Sequence, residues 1–153
     1  EIDFDKAVWI IPDERMKADK EHKVPLSPAA LDVLTGLKET ALNDFVLPGM
    51  RRNSSLSNMA FLQLLKRMGH ADLTAHGFRS TFRDWAAERT AYPQEVAEMA
   101  LAHAVSDKVE AAYRRGDLFD KRRKIMDDWA GFCSANVGAD DNVVGIRELR
   151  KES

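Results

Sequence analysis

The segment Thr74-Ala75-His76-Gly77-Phe78-Arg79 holds the first side chains whose spacing suits chemistry. If a helix starts here, His76 and Arg79, three apart, share one face about one turn from each other, with Phe78 between them pointing toward the core. An imidazole beside a guanidinium at a helix start suits an anionic ligand. Arginine offers a rigid fork to phosphate oxygens, and histidine exchanges a proton near neutral pH. The plain alternative is that His76 caps the helix and Arg79 pairs with Asp72 or Asp84. His103 closes the apolar stripe Val96, Met99, Ala100, His103, where a core histidine satisfied by a carbonyl is the default. Tyr113 shares a face with Val109, and Arg114 and Arg115 follow it. That charge would stabilise an attacking phenol or phenolate on a phosphate; a half-buried core tyrosine is the alternative.

The elements that must position these groups change period along the chain. Residues 2–11 alternate loosely around Asp5-Lys6, as a tight hairpin or broken strand would, and Pro12 ends the run. Polar residues 13–21 read as a solvated turn, and His22 to Leu26 as a returning strand whose Pro25 implies an edge. Ser27-Pro28 then caps a helix bearing Ala30, Val33, Leu34 and Leu37. Phe45-Val46-Leu47 is a loop or brief strand stopped by Pro48-Gly49. Ser57 opens a second helix with Phe61, Leu64, Leu65 and Met68 on one face, closed by Gly69. A third carries Phe78, Phe82, Trp85 and Ala86, and a fourth begins near Pro93. Asp107 and Glu110 suggest a capping box for a short fifth helix. A sixth carries Leu118, Ile125, Trp129 and Phe132. The expectation is a mostly α-helical α+β fold: a small antiparallel sheet over 1–27 on a helical body over 28–135, with 136–153 a tail, mobile or packed on a neighbouring protomer.

Composition narrows the class. A chain of 153 residues with 44% hydrophobic and 31% charged residues suits one soluble globular domain. Twenty-three Lys+Arg against 25 Asp+Glu exclude a polybasic protein but not a local basic face. No apolar run reaches the ~20 residues that span a bilayer. One cysteine, Cys133, cannot make an internal disulfide and fits a reduced compartment, most simply cytoplasm. The four histidines show no metal-ligand spacing.

Taken together, His76-x-x-Arg79, His103 within Leu101-Ala102-His103-Ala104, and Tyr113 ten residues later resemble the active-site signature of the tyrosine recombinases, nearest to integrases of temperate phages and genomic islands. The wording His-Gly-Phe-Arg and Ala-x-x-Tyr-Arg-Arg-Gly-Asp is similar too, and Arg15-Met16-Lys17 with His22 to Ser27 looks like that family's β-hairpin. The resemblance implies DNA cleavage and rejoining through a 3′-phosphotyrosyl link, as in integration or excision of a mobile element. Tyr113 would be the nucleophile, Arg79 the clamp on the non-bridging oxygens and His103 a further donor to the phosphate. His76 would assist general acid and base work. Lys17 would protonate the departing 5′-oxygen, with Lys20 and Lys23 also within reach of the turn. No cofactor or metal is implied, since the covalent link keeps the ester energy.

The expected partners are double-stranded DNA attachment sites, other copies of the chain in a tetramer on DNA, and accessory DNA-bending proteins, with no membrane. DNA contact falls to Arg51, Arg52, Arg114 and Arg115 first. Lys66-Arg67 and Lys121 to Lys124 are further candidates; the latter run could equally be a solvated face balanced by Asp117, Asp120, Asp127 and Asp128. The family's earlier catalytic arginine is expected upstream of Glu1, leaving this stretch inactive alone. Two other readings stay open: a type IB topoisomerase-like relaxing enzyme, and a helical DNA-binding or regulatory module in which these residues are structural.

Overall fold

A computed structural model of the chain describes residues 1–103 and 116–135. The first residues form a meander, β1 (Ile2–Asp3), β2 (Val8–Ile11) and β3 (His22–Pro25), antiparallel in the order β1-β2-β3. Register follows from the two turns: Ile2 opposes Trp9 and Asp3 opposes Val8, while Val8 opposes Pro25 and Ile11 opposes His22. The Asp3 carboxylate tightens the first turn by accepting the Lys6 N–H at 2.9 Å, and Ala7 takes φ 54° to bring the chain back. Pro25 thus lies on an edge strand, where its missing N–H breaks no ladder. Residues 12–21 are solvent-rich, with a short 3₁₀ turn at Asp13–Arg15.

Ser27 stops the sheet and starts α1 (Pro28–Glu39): its hydroxyl accepts from the Ala30 N–H, and proline occupies the first helical position. The α1 stripe is only half-covered, and Val33 stands 63% exposed. Leu47 to Ser55 form a loop closed by one bridge between Pro48 and Ser55. The next helix, α2 (Ala60–Arg67), begins three residues later than Ser57, which contributes its carbonyl to a turn with the Ala60 N–H and no side-chain cap. Gly69, at φ 84°, ends it as expected. Of the α2 stripe only Leu65 is buried; Phe61, Leu64 and Met68 keep large exposed areas.

The core lies further on. Helices α3 (Ala75–Arg89), α4 (Gln94–Ala100) and α5 (Phe119–Ser134) bury Phe82, Trp85, Ala86, Val96, Ala97 and Ile125 together. Each large side chain removed from water in this way contributes about 1.5–3 kcal/mol. Trp129 organises the cluster, meeting Phe82 edge-on at 5.5 Å and Trp85 at 5.1 Å and stacking on Phe132 at 5.5 Å. The result is a mostly helical α+β fold with a small antiparallel sheet at its start, as the sequence pattern indicates. Phe78 departs from expectation: it is 49% exposed and meets Phe61 edge-on rather than the core. It lies in the first turn of α3, one turn before Phe82. The short helix expected around 107–113 and the tail 136–153 lie outside the described residues. No described helix is long and apolar enough to cross a membrane.

Candidate active site

Thr74 starts α3, its hydroxyl accepting the Gly77 N–H at 3.1 Å, so the helix is capped by threonine and not by His76. His76 and Arg79 follow in the first turns, both exposed. From there the Arg79 side chain crosses to the far end of α4. Its Nη2 donates to the Leu101 carbonyl at 2.6 Å and lies 2.9 Å from His103 Nε2. Neither Asp72 nor Asp84 is needed to explain where this guanidinium goes.

His103 reaches that point because α4 ends early. Ala102 adopts the left-handed conformation at φ 55°, its N–H donates to the Met99 carbonyl, and the His103 N–H donates to the Glu98 carbonyl at 2.9 Å. This is a Schellman turn with alanine at the position glycine usually takes. It swings His103 off the α4 stripe, correcting the expectation of a core histidine. The side chain is 39% exposed. Its Nδ1 lies 2.5 Å from Glu98 Oε2. Glu98 Oε1 in turn sits 2.8 Å from Arg83 Nε on α3. The bond to His103, then the charge of Arg83, hold the Glu98 carboxyl below its usual range.

The geometry fixes a tautomer. Arginine has donors and no acceptor, so His103 Nε2 must present its lone pair to Arg79, and the ring proton sits on Nδ1 facing Glu98. The assembled row is Glu98, His103, Arg79: an anion, a neutral ring and a cation at the surface. It can offer positively charged donors to an anion. Glu98 and Arg83 were not legible as site residues, since a contact across a helix end leaves no trace in helical periodicity.

The other expected groups are distributed as follows. Lys17 and Lys20 are exposed in the segment joining β2 to β3, and Lys23 on β3 lies 3.5 Å from Glu21. Arg51 and Arg52 are exposed at the tip of the 47–55 loop, where Ser54 donates twice to the Arg51 carbonyl. That loop requires Gly49, because a Cβ there would come within 2.3 Å of the Ser55 carbonyl oxygen. Lys66 and Arg67 are exposed on the last turn of α2. Within Lys121 to Lys124 the pattern is not a solvated basic face. Arg122 is 1% exposed, its guanidinium donating to the carbonyls of Asp117 and Lys23 and to the Asp117 carboxylate. Arg123 donates to the carbonyls of Lys6 and Ala7. These two arginines therefore tie α5 to the sheet, and only Lys121 and Lys124 face solvent. Tyr113, Arg114 and Arg115 lie outside the described residues. Among the described residues no cluster of three metal-ligating side chains occurs.

The chain is similar to known phage and prophage integrases. The phage integrase family model matches residues 1–117, a span that takes in His76, Arg79, His103 and Tyr113. Prophage integrase IntA of Escherichia coli (strain K12) is 35% identical over 154 residues, covering 99% of this chain and 36% of that protein. The integrase of Shigella phage Sf6 is 31% identical over 89% of this chain and 36% of its own length. That of Enterobacteria phage P4 is 30% identical over 99% of this chain and 38% of its own. The chain thus spans little more than a third of these relatives. No solved structure matches it significantly.

Proposed function

This chain belongs to the phage integrase family, the tyrosine recombinases, and on that premise we propose that it carries the catalytic machinery for cutting and rejoining duplex DNA at attachment sites. The observation that carries the reading is the pairing of Arg79 with His103 on an exposed surface, through neutral acceptors. A guanidinium resting on a carbonyl and an uncharged imidazole exchanges those partners for a phosphate readily, because the new bonds are charge-assisted and about twice as strong.

In the proposed reaction the Tyr113 hydroxyl oxygen attacks the phosphorus and its proton passes to His76. The bond from phosphorus to the 5′-oxygen breaks, and that oxygen takes a proton from Lys17. Arg79 holds the non-bridging oxygens as negative charge builds, His103 donates to the same phosphate, and His76 assists the proton transfers. Rejoining is the reverse, with the 5′-hydroxyl of the partner strand attacking the 3′-phosphotyrosyl link and Tyr113 leaving. Fixed donors at the oxygens are the main lever, worth ~10²–10³ in rate each. Proton transfers add ~10²–10⁴. Arg51, Arg52, Arg114 and Arg115 contact the DNA backbone, and the working assembly is a tetramer on DNA, aided by DNA-bending proteins, in the cytoplasm.

The test is a suicide duplex carrying a nick beside the cleavage position, incubated with the intact protein. A covalent protein–DNA adduct with wild type and none with Tyr113→Phe supports the reading. An adduct that persists in Tyr113→Phe, or no adduct with wild type, overturns it.

A further inference from the structure

Of the residues around Arg79, Glu98 and Arg83 are left without a task by the chemistry just proposed, and Glu98 is the most enclosed of the charged groups there. Its side chain is 21% exposed, against 39% for His103 and 53% for Arg83. An anion kept that far from water in a site meant for phosphate is costly, because it repels the ligand's own charge. It is compensated by the two contacts described above, the Arg83 guanidinium on one oxygen and His103 Nδ1 on the other.

We infer that Glu98 is a positioning residue for the phosphate site: it holds the His103 ring in the Nδ1–H tautomer with Nε2 toward Arg79, and it stabilises the imidazolium once that ring is protonated. The inference rests on the recombinase reading for its consequence but on the geometry for its substance. In the resting arrangement His103 Nε2 accepts from Arg79 and cannot donate. To serve a phosphate, Arg79 must turn its Nη2 to the ligand and Nε2 must gain a proton. The ring is then doubly protonated, with Nδ1–H on the Glu98 carboxylate and Nε2–H on a phosphate oxygen. A carboxylate 2.5 Å away favours that cation and prevents the ring from flipping. Glu98 also counters the Arg83 charge, so the pair adds no net charge of its own. One residue of α4 thereby converts a resting arginine–histidine contact into two donors for a single anion.

Two variants separate geometry from charge. Glu98→Gln keeps an oxygen that can accept from Nδ1–H but removes the negative charge; Glu98→Ala removes both. On the nicked suicide duplex, Glu98→Ala is expected to lower the cleavage rate constant about 10–100-fold, the usual cost of deleting an orienting partner of a histidine. Binding of the same DNA is expected to change less than twofold. Glu98→Gln is expected to fall between Ala and wild type. Nitrogen-15 NMR of the His103 ring in the free protein is expected to show the Nδ1–H tautomer in wild type and Glu98→Gln, and a mixture in Glu98→Ala. Wild-type cleavage in both variants, or an unchanged tautomer in Glu98→Ala, overturns the inference. If Glu98→Ala fails to fold, a Glu98→Gln rate equal to wild type does so alone. Loss of the recombinase reading looks different: wild type then gives no Tyr113-dependent adduct, while the ring tautomer still judges the Glu98–His103 pairing.

Discussion

Arg79 and Arg122 make the same kind of bond and have opposite fates. Each donates to a backbone carbonyl at 2.6 Å, Leu101 for one and Lys23 for the other. Arg122 is almost wholly enclosed and has a carboxylate and two carbonyls arranged around its fork. Burial alone would pull its proton affinity down, and Asp117 pulls the other way. Arg79 is exposed and its Nη2 rests on a carbonyl and a neutral ring. The difference shows that residue type does not decide whether an arginine is structural or available. Saturation by oxygen and exclusion of water decide it.

The contrast can be broken by exchanging the assays. Arg79→Ala is expected to reduce cleavage of the suicide duplex by about 10²–10³, equivalent to ~2.7–4 kcal/mol. Its melting temperature should stay within about 1 °C of wild type; a drop of several degrees would make Arg79 structural after all. Arg122→Met is expected to lose about 2–3 kcal/mol in denaturant unfolding, because the carbonyls of Lys23 and Asp117 lose their donor in a buried place. Thr74→Ala removes the cap that sets where α3 begins and is expected to cost about 1 kcal/mol, with a smaller loss of cleavage than Arg79→Ala.

The smallest effect concerns the far end of the core. The Tyr92 hydroxyl donates to Asp128 at 2.6 Å, and that bond, more than burial, pushes the phenol up to about 12. Its proton is thus held more tightly in the folded chain than in the unfolded one, so the bond contributes fully below pH ~10 and is lost as pH rises toward about 12. Tyr92→Phe is expected to cost about 0.5–1.5 kcal/mol at pH 8 and to flatten the fall in stability between pH 10 and 12.

Much of the fold was readable because its punctuation is local. Pro12, Ser27-Pro28 and Gly69 act through their own φ angles, missing N–H groups and side-chain oxygens, so the sheet boundaries, the start of α1 and the end of α2 follow from neighbours in sequence. Where the deciding partner is distant, pattern reading stops. His103 looks like the next step of the α4 stripe, and only the left-handed turn at Ala102, an alanine where no signal for it exists, takes it away. Arg122 and Arg123 look like a surface run because, Asp117 apart, their acceptors are carbonyls 99 to 117 residues away. His76, Arg79, His103 and Tyr113 were legible as candidates through their order and spacing. Glu98 was not, since it acts on His103 across a helix end and not along a face.

The bond from Arg122 to the Lys23 carbonyl also has a consequence in time. A growing chain emits β3 long before α5, and the two are 99 residues apart. At about 5–20 residues per second, synthesis needs roughly 5–20 s to supply the arginine that fastens the sheet. Until then the meander has neither its latch nor the carbonyl contacts of Arg123. The segment bearing Lys17 is therefore made well before the arginine that fastens its sheet.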